Sequence, residues 1–121
     1  MTDEPKVYRT AYIVQNTGHD FQELLKVCDN LRFMSNGYEP ENEALDTLIT
    51  GLQGFDPEKD LIVPVGNVTL NVLLGLLLPR ICDVSQYFTM AVFYEKQYHF
   101  KVVSFEGIQC TVISGVNNAK S

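Results

Sequence analysis

A chain of 121 residues, 45% hydrophobic and 20% charged, has room for one domain that buries about two thirds of its unfolded surface without help from disulfides or metal. Its net charge of −6 is unevenly placed, with twelve acids and five bases in residues 1–60 and three acids and four bases in residues 61–121. Binding nucleic acid through phosphates requires a basic surface, so direct nucleic-acid recognition is excluded.

In chain order, residues 1–6 are a polar lead-in, opposite in character to a secretory or mitochondrial leader. Val7 to Val14 is rich in β-formers and predicts a first strand. The strand gives way to Asn16-Thr17-Gly18-His19-Asp20, where glycine permits a sharp turn and Thr17 or Asp20 is placed to cap a helix after it. Phe21, Leu24, Leu25 and Cys28 recur at helical spacing and predict a short amphipathic helix ending near Asp29-Asn30. Leu31 to Met34 predicts a brief second strand, followed by a turn at Ser35-Asn36-Gly37-Tyr38. Ala44, Leu45, Leu48, Ile49 and Leu52 mark the apolar face of a second helix, which Gly54 closes.

The centre of the chain is Asp60 to Pro79. Leu61 to Val65 reads as a strand covered on both faces. It passes through Gly66-Asn67 into Val68 to Leu78, a helix apolar nearly all round and therefore buried or placed in an interface. Asn67, Asn71 and Gly75, four residues apart, form its one polar and small stripe. Pro64, Gly66, Asn67, Thr69, Asn71 and Gly75 interrupt the run and argue against a membrane span. Pro79 is expected to end the helix. Tyr87 to Tyr94 and Tyr98 to Phe105 predict an aromatic hairpin across Glu95-Lys96-Gln97. Residues 108–113 predict an edge strand or an exchanged arm, and residues 114–121 a tail.

Strand, helix, strand, helix, strand, helix in succession implies a small three-layer, Rossmann-like or flavodoxin-like α/β domain over residues 1–113. Its parallel three-stranded core is followed by the hairpin. In such a sheet ligands bind along the carboxyl ends of the strands. The turn residues there define a candidate pocket for a small anion such as a nucleotide: Asn16, Thr17, Gly18, His19, Asp20, Asn36, Gly66 and Asn67. His19, oriented by Asp20, is the one candidate acid or base; the same pair is the only seed of a metal site. Asn71, Gly75, Tyr94 and Tyr98 are the candidate interface residues.

No phosphate loop, dinucleotide fingerprint, nucleophile elbow or zincin motif occurs, so no cofactor is expected and catalysis is the lesser expectation. Cys28, Cys82 and Cys110 are odd in number and lack metal spacing, which fits buried thiols in a reducing compartment. The cytoplasm is the expected location.

Several runs, Asn16-Thr17-Gly18-His19-Asp20-Phe21, Leu31-Arg32-Phe33-Met34-Ser35-Asn36-Gly37-Tyr38, Asp56 to Asp60, Val65-Gly66-Asn67 and Phe93-Tyr94-Glu95-Lys96-Gln97-Tyr98, resemble small uncharacterised proteins encoded by bacteriophages. The resemblance covers roughly residues 8–105 and implies context alone: an accessory protein of a virus or prophage, made in a bacterial cytoplasm. No functional residue is carried over with it. Two functions then stand side by side. One is a non-catalytic module that forms a homo-oligomer or binds a host or viral protein. The other is a binder of a small anionic ligand.

Overall fold

Four consecutive residues of the first strand, Ala11 to Val14, are buried, which only a strand covered on both faces achieves. In the computed structural model, which describes residues 7–18, 20–36, 43–82, 86–105 and 109–115, that strand lies inside a six-stranded sheet. The strands are β1 (Tyr8–Gln15), β2 (Cys28–Ser35), β3 (Leu61–Val63), β4 (Tyr87–Tyr94), β5 (Gln97–Ser104) and β6 (Gln109–Gly115), and their spatial order is β2-β1-β3-β4-β5-β6. The pairs β1·β2, β1·β3 and β3·β4 are parallel, and β4·β5 and β5·β6 are antiparallel. The expected parallel core of three strands is thus extended to four, because a 14-residue helix between β3 and β4 provides the crossover that a parallel pair needs. Gln109–Gly115 pairs with β5 of its own chain, so an intramolecular strand continues past residue 113, where a tail was expected.

Two α-helices, α1 (Ala44–Gly51) and α2 (Val68–Ile81), cover one face of the sheet. Ala44, Leu48 and Leu52 from α1 and its exit, and Leu70, Leu74 and Leu78 from α2, pack on Tyr12, Val14, Ile62 and Phe88. Gly51 lets α1 sit tightly on β2: a Cβ there would lie 2.7 Å from Met34 Cγ and 2.8 Å from its Cβ. Pro79 lies inside α2 rather than ending it. Its missing donor costs only one bond in the last turn, and the Cys82 amide still donates to the Leu78 carbonyl at 2.9 Å.

On the opposite face the expected α-helix at Phe21 to Cys28 is replaced by a 3-10 turn, Gln22–Lys26. Cys28 therefore begins β2 instead of closing a helix. Phe21 and Leu24 cover Ala11, Ile13, Leu61 and Val63 there, with Ala91, Tyr98 and Phe100 completing the cluster. The result is a mixed α/β fold with two α-helices, both on one side, in place of three.

Asp60 fixes the entry to β3. Its carboxylate, fully buried, accepts Arg9 Nε (3.0 Å) and the Thr10 amide (3.2 Å) on Oδ1, and Arg9 Nη2 (2.7 Å) and the Asp56 amide (2.8 Å) on Oδ2. The Arg9 guanidinium is in turn held charged by this hydrogen-bonded partner. The loop from Gly54 to Asp60 is thereby pinned to β1 where Ala11 pairs with Leu61.

Candidate functional site

The parallel strands β1, β2, β3 and β4 all end at one edge of the sheet, so the turns after Gln15, Ser35 and Val63 share that rim. The chain leaves β1 for β2 on one side and reaches β3 on the other, which places the reversal of strand order between β1 and β3. Ligand crevices of open α/β sheets form at such a reversal.

The rim residues singled out from sequence mostly serve their own turns. Asn16 Oδ1 accepts the Gly18 amide at 3.1 Å, and Asp20 Oδ1 accepts the Gln22 amide at 2.9 Å. Asn67 caps α2 by accepting the Leu70 amide at 3.2 Å. Its own amide donates to Gln15 Oε1 at 2.7 Å. Gly66, at φ +92°, has no room for a Cβ against the Gln15 side chain. Asn36 is exposed beyond β2. An anion arriving here finds the Gly18, Gln22, Asn67 and Leu70 donors already engaged. His19, and with it the acid-base and metal expectations, lies outside the described residues, and no group of three metal-ligating side chains occurs among the described ones.

A cavity of about 240 Å³ opens at the same edge, on the face opposite the α-helices. Thr17 from the β1 turn, Phe21 from the approach to the 3-10 segment, Val63 and Val65 from the end of β3, and Phe93 and Tyr98 from the hairpin line it. Tyr98 is 1% exposed, so it sits inside the fold and not on the outer interface where the aromatic pattern of the hairpin placed it. Its ring meets Phe93 edge to face at 4.9 Å between centroids. Among the described residues its hydroxyl has no hydrogen-bond partner. Burial, followed by the negative charges of Asp20 and Glu23, pushes its pKa up to about 12, so the phenol keeps its proton and remains a donor.

The helix face carries a second feature. Asn71 spends its amide on the Asn67 and Val65 carbonyls (2.8 and 3.2 Å), while Gly75 is open, with nothing within 4 Å of a built Cβ. Beside them Val68, Val72 and Leu76 are 75%, 57% and 63% exposed. Ile81 of α2 and Leu45 and Ile49 of α1 are about half exposed, which sets Leu45 and Ile49 apart from the sheet-facing residues of their helix. Between the two helices runs a groove of about 340 Å³ lined by Ile49, Leu52, Phe55, Leu77 and Ile81. Tyr94 is 44% exposed and stacks on His99 at 3.8 Å between ring centroids.

Neither the cavity nor the exposed helix face was legible as such in the sequence. Only Thr17 and Tyr98 of the cavity, and Gly75 of the helix face, were marked. No helix among the described residues is long and apolar enough to cross a membrane. No protein family, curated protein or solved structure matches the chain.

Proposed function

We propose that the protein is a non-catalytic interaction module that pairs with a second copy of itself through the outward face of α2. The observation that carries this reading is the row Val68, Val72 and Leu76, spaced four apart and more than half exposed on a 14-residue helix. Water-facing positions of a surface helix are ordinarily polar. Together with Leu45, Ile49 and Ile81, these side chains offer roughly 600 Å² of apolar surface per chain, close to the about 800 Å² per partner of a standard interface and large for a free monomer surface.

A twofold pairing is favoured by the place of Gly75, near the midpoint of Val68–Ile81. Two copies crossing there bring the same patch of each against the other, with the least backbone separation where no side chain intervenes. The Rossmann-like reading of the fold goes with this proposal: the order β2-β1-β3-β4 and its reversal between β1 and β3 support it, and a helix layer left bare on its outside is what a partner would complete. A bacterial cytoplasm, and a viral origin within it, remain the context proposed from the sequence resemblance.

Sedimentation velocity on the wild type and on Leu76→Glu and Val72→Glu tests the proposal. A wild-type dimer in the micromolar range, reduced to monomer by either glutamate with unchanged far-UV circular dichroism, is the expected result. A wild type that stays monomeric throughout that range overturns it. Gly75→Ala provides a second readout, since alanine improves an isolated helix by up to about 1 kcal/mol: it raises the melting temperature of the monomer while weakening the dimer.

A further inference from the structure

From the cavity at the carboxyl edge of β1 and β3 we infer a second binding site, for a small uncharged molecule of aromatic-ring size that presents one hydrogen-bond acceptor to the Tyr98 hydroxyl. This site is independent of the proposed pairing surface and lies on the other face of the sheet.

Three features of the cavity set the class of ligand. Its volume, about 240 Å³, exceeds the about 150 Å³ that suffices for benzene in an engineered apolar cavity and falls below the range typical of drug-sized sites. One ring with one substituent fits that interval. Its walls are the side chains of Phe21, Val63, Val65 and Phe93, which offer a ring contact area and no charge. The polar lining is the Thr17 hydroxyl and the Tyr98 hydroxyl, and the latter is buried without a partner among the described residues. A buried hydroxyl left unpaired is costly, and a ligand acceptor that reaches it removes that cost on binding.

The charge surrounding the phenol separates this ligand from the anion expected of the turn sequences. Asp20 and Glu23 are the two carboxylates that act on Tyr98, and one oxygen of Glu23 is itself buried without a partner among the described residues. A carboxylate or phosphate brought to the phenol meets repulsion from both. A neutral carbonyl does not, and a neutral amide also offers N–H groups toward those oxygens. Phe93, 41% exposed at the mouth and packed on Tyr98, gives the ring of such a molecule an edge or face to rest on.

Benzamide, benzoate and benzylamine have nearly the same shape and are neutral, anionic and cationic at neutral pH, so they test the class directly. Each is titrated into the full chain while the backbone amide resonances are followed. Saturable shifts with benzamide centred on Thr17, Val65 and Phe93, and binding at least tenfold tighter than that of benzoate or benzylamine, are expected. Tyr98→Phe removes only the hydroxyl and is expected to weaken benzamide by about five- to tenfold, the value of one neutral hydrogen bond, without lowering the melting temperature. Val65→Phe, which fills the cavity from its rim, abolishes the shifts. The inference is overturned by the absence of saturable shifts up to the solubility of benzamide, by equal or tighter binding of benzoate or benzylamine, or by a Tyr98→Phe protein that binds benzamide as the wild type does. None of these outcomes depends on whether the protein dimerises.

Discussion

Asp60→Ala removes an acceptor from a place where four donors converge. The carboxylate takes the Thr10 and Asp56 backbone amides as well as two nitrogens of Arg9, and the side chain is fully buried. After truncation the Arg9 side chain, 47% exposed, turns to water, but the two amides are fixed in the backbone and cannot move with it. Each buried amide left without an acceptor costs about 1–3 kcal/mol; allowing for water entering beside Arg9, the loss is about 2–4 kcal/mol. For a domain of this size that lowers the melting temperature by about 10 °C. Urea unfolding followed by circular dichroism measures it, with the midpoint moving and the slope unchanged. Asp60→Asn is the informative companion, because it preserves the volume and leaves one acceptor oxygen for four donors. It is expected to lose nearly as much as the alanine variant. An asparagine variant as stable as the wild type, or a loss below about 1 kcal/mol in the alanine variant, refutes the argument that acceptor count at this junction holds β3 against β1.

Other perturbations act on single features of the backbone and the aromatic core. Gly51→Ala places a methyl group 2.7 Å from Met34 Cγ and 3.2 Å from its backbone Cα, so overpacking costs about 1–3 kcal/mol, read as a lower urea midpoint. The hairpin turn holds Glu95 and Lys96 at φ +53° and +68°, the signs a two-residue type I′ turn requires; Glu95→Asn with Lys96→Gly relieves about 1 kcal/mol of left-handed strain and raises the melting temperature. With the folded Tyr98 pKa at about 12 and an ordinary value near 10, the unfolded chain loses that proton first as pH rises. Stability contributed by the neutral phenol is therefore full below pH about 10 and falls by up to about 2–3 kcal/mol by pH about 12. Tyr98→Phe flattens that alkaline limb in a stability-against-pH series, while the raised Tyr8 and Tyr12 phenols, both shifted first by burial, leave a remainder of the same sign.

Much of the fold was legible because its periodicities are long. The unbroken burial of Ala11 to Val14, the three apolar residues of β3 and the near-continuous apolar run of α2 each left a pattern that local reading recovers. The stretch from Phe21 to Cys28 misleads for a definite reason. Positions 21, 24, 25 and 28 satisfy a helical repeat, yet only five residues, Gln22–Lys26, form the turn between the two buried anchors that the sheet requires, Phe21 and Cys28. The start of β2 was hidden by Asp29 and Asn30, poor strand formers that are tolerated because β2 is an edge strand with both of them exposed. The parallel placement of β4 did have a signal, since a long helix between two strands implies a crossover. So did the burial of Tyr98: the alternation Tyr98-His99-Phe100-Lys101 puts the tyrosine on the same face as Phe100, and both belong to one core cluster. The cavity had none, for Thr17, Val65 and Phe93 come from turns and strand ends far apart in the chain.

The unequal cover of the two faces explains where that cavity lies. Five gaps between six strands span about 24 Å at the usual spacing, whereas a 3-10 segment of five residues is about 10 Å long. The helix face receives two α-helices and is filled from Val14 to Phe88. The opposite face receives only the stretch around Gln22–Lys26, enough for Phe21 and Leu24 to close over Ala11, Ile13 and Leu61. Beyond its reach the hairpin must complete the core with its own rings, Phe93, Tyr98 and Phe100, and the join between the two covers falls at Phe21, Val63 and Tyr98. An α-helix of the length read from the sequence would have covered that join. The shorter turn opens it, and the buried phenol stands at the gap.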